Sequence, residues 1–127
     1  MRLLLDTHVL LWWLDQSPQL GSQAHGILRT SANELWFSSA SPFEIAIKIA
    51  KGKLKFDLAN ALTALKDAGF RELSPIDAHY VTLTQLDPVH GDPFDRLIVA
   101  QAIVEGMTIM TEDRMIRRYP VRTIDCS

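Results

Sequence analysis

"LLLDTHVL" occupies residues 3–10, and how it is read decides the fold. The three leucines after Arg2 have the apolar character of a buried strand, placed at 2–5. The run breaks at a carboxylate, Asp6. Val9, Leu10, Leu11, Trp12, Trp13 and Leu14 then resume the apolar pattern as a short helix over 7–14. A core strand passing straight into a core helix is the start of an α/β arrangement. The charge at their junction calls for an explanation, because a buried carboxylate must be paired, protonated or bound to a cation.

The rest of the chain repeats the alternation. Ser17-Pro18 predicts a helix running to about Asn33, with Ser17 as N-cap and Pro18 at the first helical position. "ELWFSS" (34–39) reads as a second strand, and "SPFEIAIKIAKGKL" (41–54) as a helix through Ala50 that stops at Gly52. Leu58, Leu62 and Leu65 mark an amphipathic helix over 57–70. A third strand is expected over 70–75 and a helix over 75–86, before the turn-rich "DPVHGDP" (87–93). A strongly apolar helix (93–106), a buried strand (107–111), a short helix (112–118) and a last strand (121–126) complete the pattern. The expectation is one domain over 1–127: a three-layer α/β sandwich with a mainly parallel sheet of about five strands flanked by helices.

Composition narrows the function classes. At 127 residues, with 47% hydrophobic and 22% charged side chains, the chain suits a single globule with its own core. A net charge of −2 provides no bulk basic field, so a polyanionic partner would be held by local basic patches or by bound cations. The one cysteine, Cys126, permits no internal disulfide and fits a reducing compartment. Asp6 and His8 interrupt the N-terminal leucines, and Val9 to Leu14 is too short to span a membrane. A cytoplasmic location is expected.

In a parallel sheet, the C-terminal ends of the strands and the N-termini of the following helices share one edge, where ligands bind. Asp6 follows the first strand, Glu44 and Asp95 lie in first helical turns, and Asp113 follows the fourth strand, with Asp92 a possible fifth acid. Capping accounts for each acid taken singly. Ser41-Pro42-Phe43-Glu44 has the capping-box pattern, Asp92 can N-cap the helix at Pro93 with Asp95 at N3, and Thr111 can cap a helix carrying Glu112 and Asp113. Capping does not predict that they cluster. Two carboxylates about 4 Å apart repel by roughly 4 kcal/mol at an effective dielectric near 20. A set of hard oxygen donors with no His or Cys among them favours Mg²⁺ or Mn²⁺, the usual apparatus of phosphodiester hydrolysis.

Four stretches, "LLDTHVLLW" (4–12), "SPFEIAIK" (41–48), "DPFDRLIVAQA" (92–102) and "TED" (111–113), carry a resemblance that spans the chain. In this order they resemble the PIN-domain ribonucleases, specifically the VapC-like toxins of bacterial toxin–antitoxin pairs. The resemblance implies a PIN-like fold and a metal-dependent endoribonuclease that a cognate antitoxin neutralises. It also implies a homodimer, with the antitoxin tail in the active-site groove. Asp6, Glu44, Asp95 and Asp113 match the acidic catalytic and metal-holding positions, Asp92 matches an additional acid, and Thr7 and Thr111 match supporting hydroxyl residues.

Other residues admit plainer roles. Lys48, Lys51, Lys53 and Lys55 form a basic run that reads as a solvated face, with Glu44 and Lys48 an i,i+4 ion pair. Lys48, Arg96 and Arg114, each close to one of the acids, are the candidates for contacting RNA. Trp12, Trp13 and Trp36 read as packing or interface residues, and the histidines lack zinc-ligand spacing. His90, in the loop before Asp92, reads as a loop hydrogen-bonding residue. Two rival readings are a receiver-like phospho-acceptor domain and a non-catalytic PIN-fold module that binds RNA or protein. The first would require a phospho-accepting Asp after strand three, where the chain has "FRELSP". The second would be marked by loss of acids, and every acid is present.

Overall fold

The computed structural model describes residues 1–127. Five strands, β1 (Arg2–Leu5), β2 (Glu34–Ser38), β3 (Arg71–Leu73), β4 (Thr108–Met110) and β5 (Thr123–Ile124), form one sheet in the order β3-β2-β1-β4-β5. Every neighbouring pair is parallel, so all strands end on the same edge. β1 is central, with Leu5 opposite Phe37 on one side and Met110 on the other.

Alternation along β1 divides the core between the two faces of the sheet. Leu3 and Leu5 join Val9, Leu10, Ala24, Leu28, Phe37 and Leu65 on one face. That layer is covered by α1 (Thr7–Leu14), α2 (Ser22–Arg29) and α4 (Leu58–Asp67). Leu4 points the other way, into a cluster with Ala40, Ile98, Val99, Ala102 and Ile109. Here α3 (Ala40–Ala50) and α6 (Pro93–Glu105) provide the cover, and α5 (Asp77–Gln85) packs on α6. No helix is long and apolar enough to cross a membrane. Cys126 is buried in the first cluster, and burial pushes its thiol up to about 12.

Two expected helices are corrected. The helix placed from Ser17 to Asn33 is confined to Ser22–Arg29. Ser17 closes a turn instead: its hydroxyl accepts the Gln19 N–H at 3.2 Å and its carbonyl accepts that of Leu20 at 3.1 Å. Leu20 is thereby delivered to the core before Gly21 starts the helix. The helix expected over 112–118 is only a 3₁₀ turn at Ile116–Arg118. Its start is set by Asp113, whose side chain takes the N–H groups of Met115 and Ile116. The glycine stops fall as expected: Gly106 caps α6 in the left-handed region, and Gly52 follows α3 with φ of 72°.

Two glycines on α2 should respond to the same substitution with opposite sign. A Cβ at Gly21 would lie 2.3 Å from the Ser127 carbonyl carbon, which the backbone cannot accommodate without displacing the C-terminal segment. Gly26, inside the helix, meets nothing within 4 Å. Gly21→Ala is expected to lower stability by about 1–3 kcal/mol, and Gly26→Ala to raise it by about 0.5–1 kcal/mol. Urea unfolding of the two variants reads both signs.

Candidate active site

The end of β1 hands the chain to α1 through Asp6, which is only 4% exposed. Its backbone N–H donates to Met110 O at 3.2 Å, extending the β1–β4 pairing by one residue. One carboxylate oxygen accepts the Val9 N–H at 2.9 Å and caps α1. The other accepts a hydrogen bond from the Thr111 hydroxyl, one residue past β4. Burial raises the Asp6 pKa above the ordinary carboxylate value, against the opposing effects of the Thr111 and Val9 bonds. Thr7, also buried, shares a 2.8 Å hydrogen bond with Ser41 and so ties the start of α1 to α3.

The capping-box expectation at Glu44 is not met. α3 begins at Ala40, earlier than the Ser-Pro signal suggests, and the Ser41 hydroxyl is engaged with Thr7. Pro42 is tolerated because first-turn N–H groups have no intrahelical partner to lose. Glu44, 6% exposed, is free of any capping role and turns inward. One oxygen lies 3.1 Å from Lys48 Nζ, while Oε1 is buried without a hydrogen-bond partner. A buried carboxylate oxygen left unpartnered costs about 1–3 kcal/mol or more unless something binds it.

Asp92 does cap α6, accepting the N–H groups of Phe94 and Asp95 at 2.8 and 3.1 Å. Asp95 follows in the first turn. Burial, then the charges of Asp92 and Asp6, push its carboxyl up to about 7, with Glu44 adding to the rise. Asp113 completes the edge from the loop after β4, its N–H donating to Thr111 Oγ1 at 2.9 Å.

His90 joins these acids more closely than the sequence suggested. Its Nε2 lies 2.9 Å from Asp113 and 3.1 Å from Asp95. The Asp92 N–H donates to Nδ1 at 3.1 Å, which selects the tautomer that carries its hydrogen on Nε2. Burial lowers the His90 pKa, but the bond to Asp113 and the surrounding carboxylates outweigh it and the net shift is upward. Partial burial likewise works to raise Asp113, yet the bond from His90 and two backbone N–H groups hold it below its ordinary value. Two groups of side-chain atoms lie within 4.8 Å of one another: Glu44, Asp92 and Asp95, whose oxygens could share one cation, and His90, Asp95 and Asp113, which the His90 Nε2–H already joins. Asp95 belongs to both.

Of the candidate RNA contacts, Arg96 is withdrawn. Its guanidinium points away from the acids and donates to the carbonyls of Asp87, Leu83 and Leu86 and to the Tyr119 hydroxyl, securing the loop after α5. Arg114 is exposed, and Lys48 lines a cleft of about 240 Å³ with Glu44, Lys51, Lys53, Asp92 and Phe94. Trp13 packs edge-on against Phe70 at 5.0 Å, and Arg71 covers the Trp36 ring at 5.7 Å.

A sheet of this order, with acids from four segments at one strand-end edge, defines a nuclease-like α/β fold, and comparison with known proteins agrees. The PIN domain model matches residues 3–122. Ribonuclease VapC22 of Mycobacterium tuberculosis is 35% identical over 124 residues, covering 91% of this chain and 90% of that protein. VapBC2 from Rickettsia felis, solved bound to a DNA fragment from its promoter, is similar over the whole of both chains at 17% identity, with a TM-score of 0.78. VapBC-1 from nontypeable Haemophilus influenzae is similar over 98% of each chain at 17% identity, with a TM-score of 0.70. The chain belongs to the PIN-domain family, among its VapC-like ribonucleases.

Asp95 and His90 both bind protons more tightly folded than unfolded, so each adds stability that is lost as pH rises through its folded value, near 7 for Asp95. Protein kept in chelator should therefore melt at progressively lower temperature from pH 6 to pH 8. The decline should be smaller in Asp95→Asn. A melting temperature that stays flat or rises over this range would contradict the assignment.

Proposed function

We propose that this chain is a metal-dependent endoribonuclease toxin of the VapC type, hydrolysing RNA phosphodiester bonds and neutralised by a cognate antitoxin. The observation that carries the reading is the grouping of Glu44, Asp92 and Asp95 within reach of one cation, with one Glu44 oxygen buried and unpartnered and the charge of Asp6 also bearing on Asp95. An acidic cluster without compensation is unfavourable, and a divalent cation relieves the repulsion and supplies the missing partner together. The all-oxygen set of Glu44, Asp92 and Asp95 fits Mg²⁺ or Mn²⁺, and Asp113 and Asp6 bear on it through Asp95, the first by sharing its His90 partner and the second by its charge. Bound there, such an ion would polarise a phosphoryl oxygen and make water a competent nucleophile near neutral pH.

The chain's own groups prepare the reaction. Thr111 and the Val9 amide fix the Asp6 carboxylate, while Thr7 and Ser41 fix the helix that carries Glu44. Asp95, with its raised pKa, is suited to hold or release a proton near neutrality. The Nε2–H of His90 steadies Asp113 and Asp95 as charge develops. Lys48, 3.1 Å from Glu44, and exposed Arg114, next to Asp113 in the chain, supply positive charge for the RNA backbone. Two copies of the chain form the working dimer, and the antitoxin occupies the groove until it is released.

Cleavage of a labelled single-stranded RNA by antitoxin-free protein tests this reading, with Mg²⁺, Mn²⁺ or EDTA in parallel. Cleavage should need a divalent ion, and both Asp6→Asn and Asp95→Asn should lose on the order of 100-fold or more in rate. Cleavage that survives EDTA, or equal rates in mutant and parent, would refute it. RNA bound but never cut would favour the non-catalytic module.

A further inference from the structure

The face of α3 that carries Glu44 continues away from the acids as Ile47, Lys48 and Lys51, one stripe at helical spacing, and Lys53 follows just beyond the helix. Across the cleft stands the start of α6, where Phe94 sits between Asp92 and Asp95. The two walls meet through aromatic rings: Phe43 and Phe94 pack edge to face, with centroids 5.6 Å apart and planes at 86°. Phe43 remains 62% exposed, although it immediately precedes buried Glu44. Nothing in the fold requires a phenylalanine there, since its ring belongs to neither core cluster.

We infer that Phe43, Phe94, Lys48, Lys51 and Lys53 form a subsite for an unpaired nucleotide of single-stranded RNA, adjoining the scissile phosphate. The inference rests on the ribonuclease reading and deepens it. Stacking on an exposed aromatic ring is open to any base but only when that base is unstacked, as in a single strand or loop. The lysines supply what the acids cannot, a positive track for the backbone phosphates leading away from the cluster. Charge complementarity favours a polyanion here, because Lys51 and Lys53 are exposed and neither forms an ion pair. Phe94 backs the platform, its ring edge on Phe43 limiting the motion of the exposed ring.

The experiment uses the full chain in EDTA with a pool of random-sequence single-stranded RNA 20-mers in which 2-aminopurine replaces adenine. Fluorescence reads stacking and titration reads affinity, both without turnover. Wild type should quench the probe, Phe43→Leu should bind about tenfold more weakly with quenching reduced, and Phe43→Tyr should restore both. Lys51→Ala with Lys53→Ala should leave quenching at saturation but lower the salt dependence of binding by about two ions. A duplex of the same sequences should bind more weakly than the single strands. If Phe43→Leu binds, quenches and cleaves like wild type, the subsite is refuted while the nuclease reading stands. If that variant loses only the binding of an antitoxin, the surface is a protein-docking site and the proposal is likewise overturned. A wild-type protein that neither binds nor cleaves RNA would end both readings.

Discussion

Repulsion among carboxylates at one edge of a sheet is the constraint around which this molecule is built. Each acid has a specific compensating partner. Asp6 has a hydroxyl and an amide, Asp92 has two helix N–H groups, and Asp113 has an imidazole and two amides. Glu44 has one ammonium group for two oxygens, and Asp95 shares an imidazole with Asp113 while facing three neighbouring charges. The deficit is concentrated in those two residues, at the centre of the cluster. A site that is nearly but not fully neutralised by its own protein is preorganised for a cation and selects charge before it selects shape.

Parallel topology brings the acids to this edge. Central β1 delivers Asp6 beside the end of β4, and the side chain of Thr111 bridges the two strand ends. Glu44 and Asp95 then approach from α3 and α6, which pack together on one face. Helix N-termini at the same edge add positive potential that moderates the crowding. The apolar layers thus serve the chemistry through register: a slip of one residue in β1 would turn Leu4 toward the other core and carry Asp6 out of reach of Thr111.

Much of this was legible in the sequence because strand-to-helix transitions carry strong local signals. Apolar runs ending at Asp6 and Thr111, and the Asp92-Pro93 and Gly106 boundaries, mark the edge directly. What escaped detection depends on contacts between distant segments. Ser41 resembles a helix cap, yet its hydroxyl bonds to Thr7, and that contact releases Glu44 from capping. Ser17-Pro18 has the signal of a helix start, but burying Leu20 requires a turn there. Arg96 adjoins Asp95 in sequence but its guanidinium is taken up by carbonyls at the C-terminal end of α5. His90 reaches Asp113 only after the sheet has brought the two loops together. Phe43 gave no signal at all, because an aromatic residue beside a helix start reads as core.

The placement of β1 in the middle of the sheet has a consequence for the order of synthesis. The first strand to leave the ribosome stays incomplete until late, since its second neighbour, β4, begins only at Thr108. Until then Asp6 has neither the Met110 carbonyl nor the Thr111 hydroxyl to hold it, and Asp113 has not been made. Pairing over so long a separation is also slow. A nascent or prematurely ended chain therefore contains most of the acids but no assembled site. An enzyme that degrades RNA is in this way kept inert while its own message is still being read.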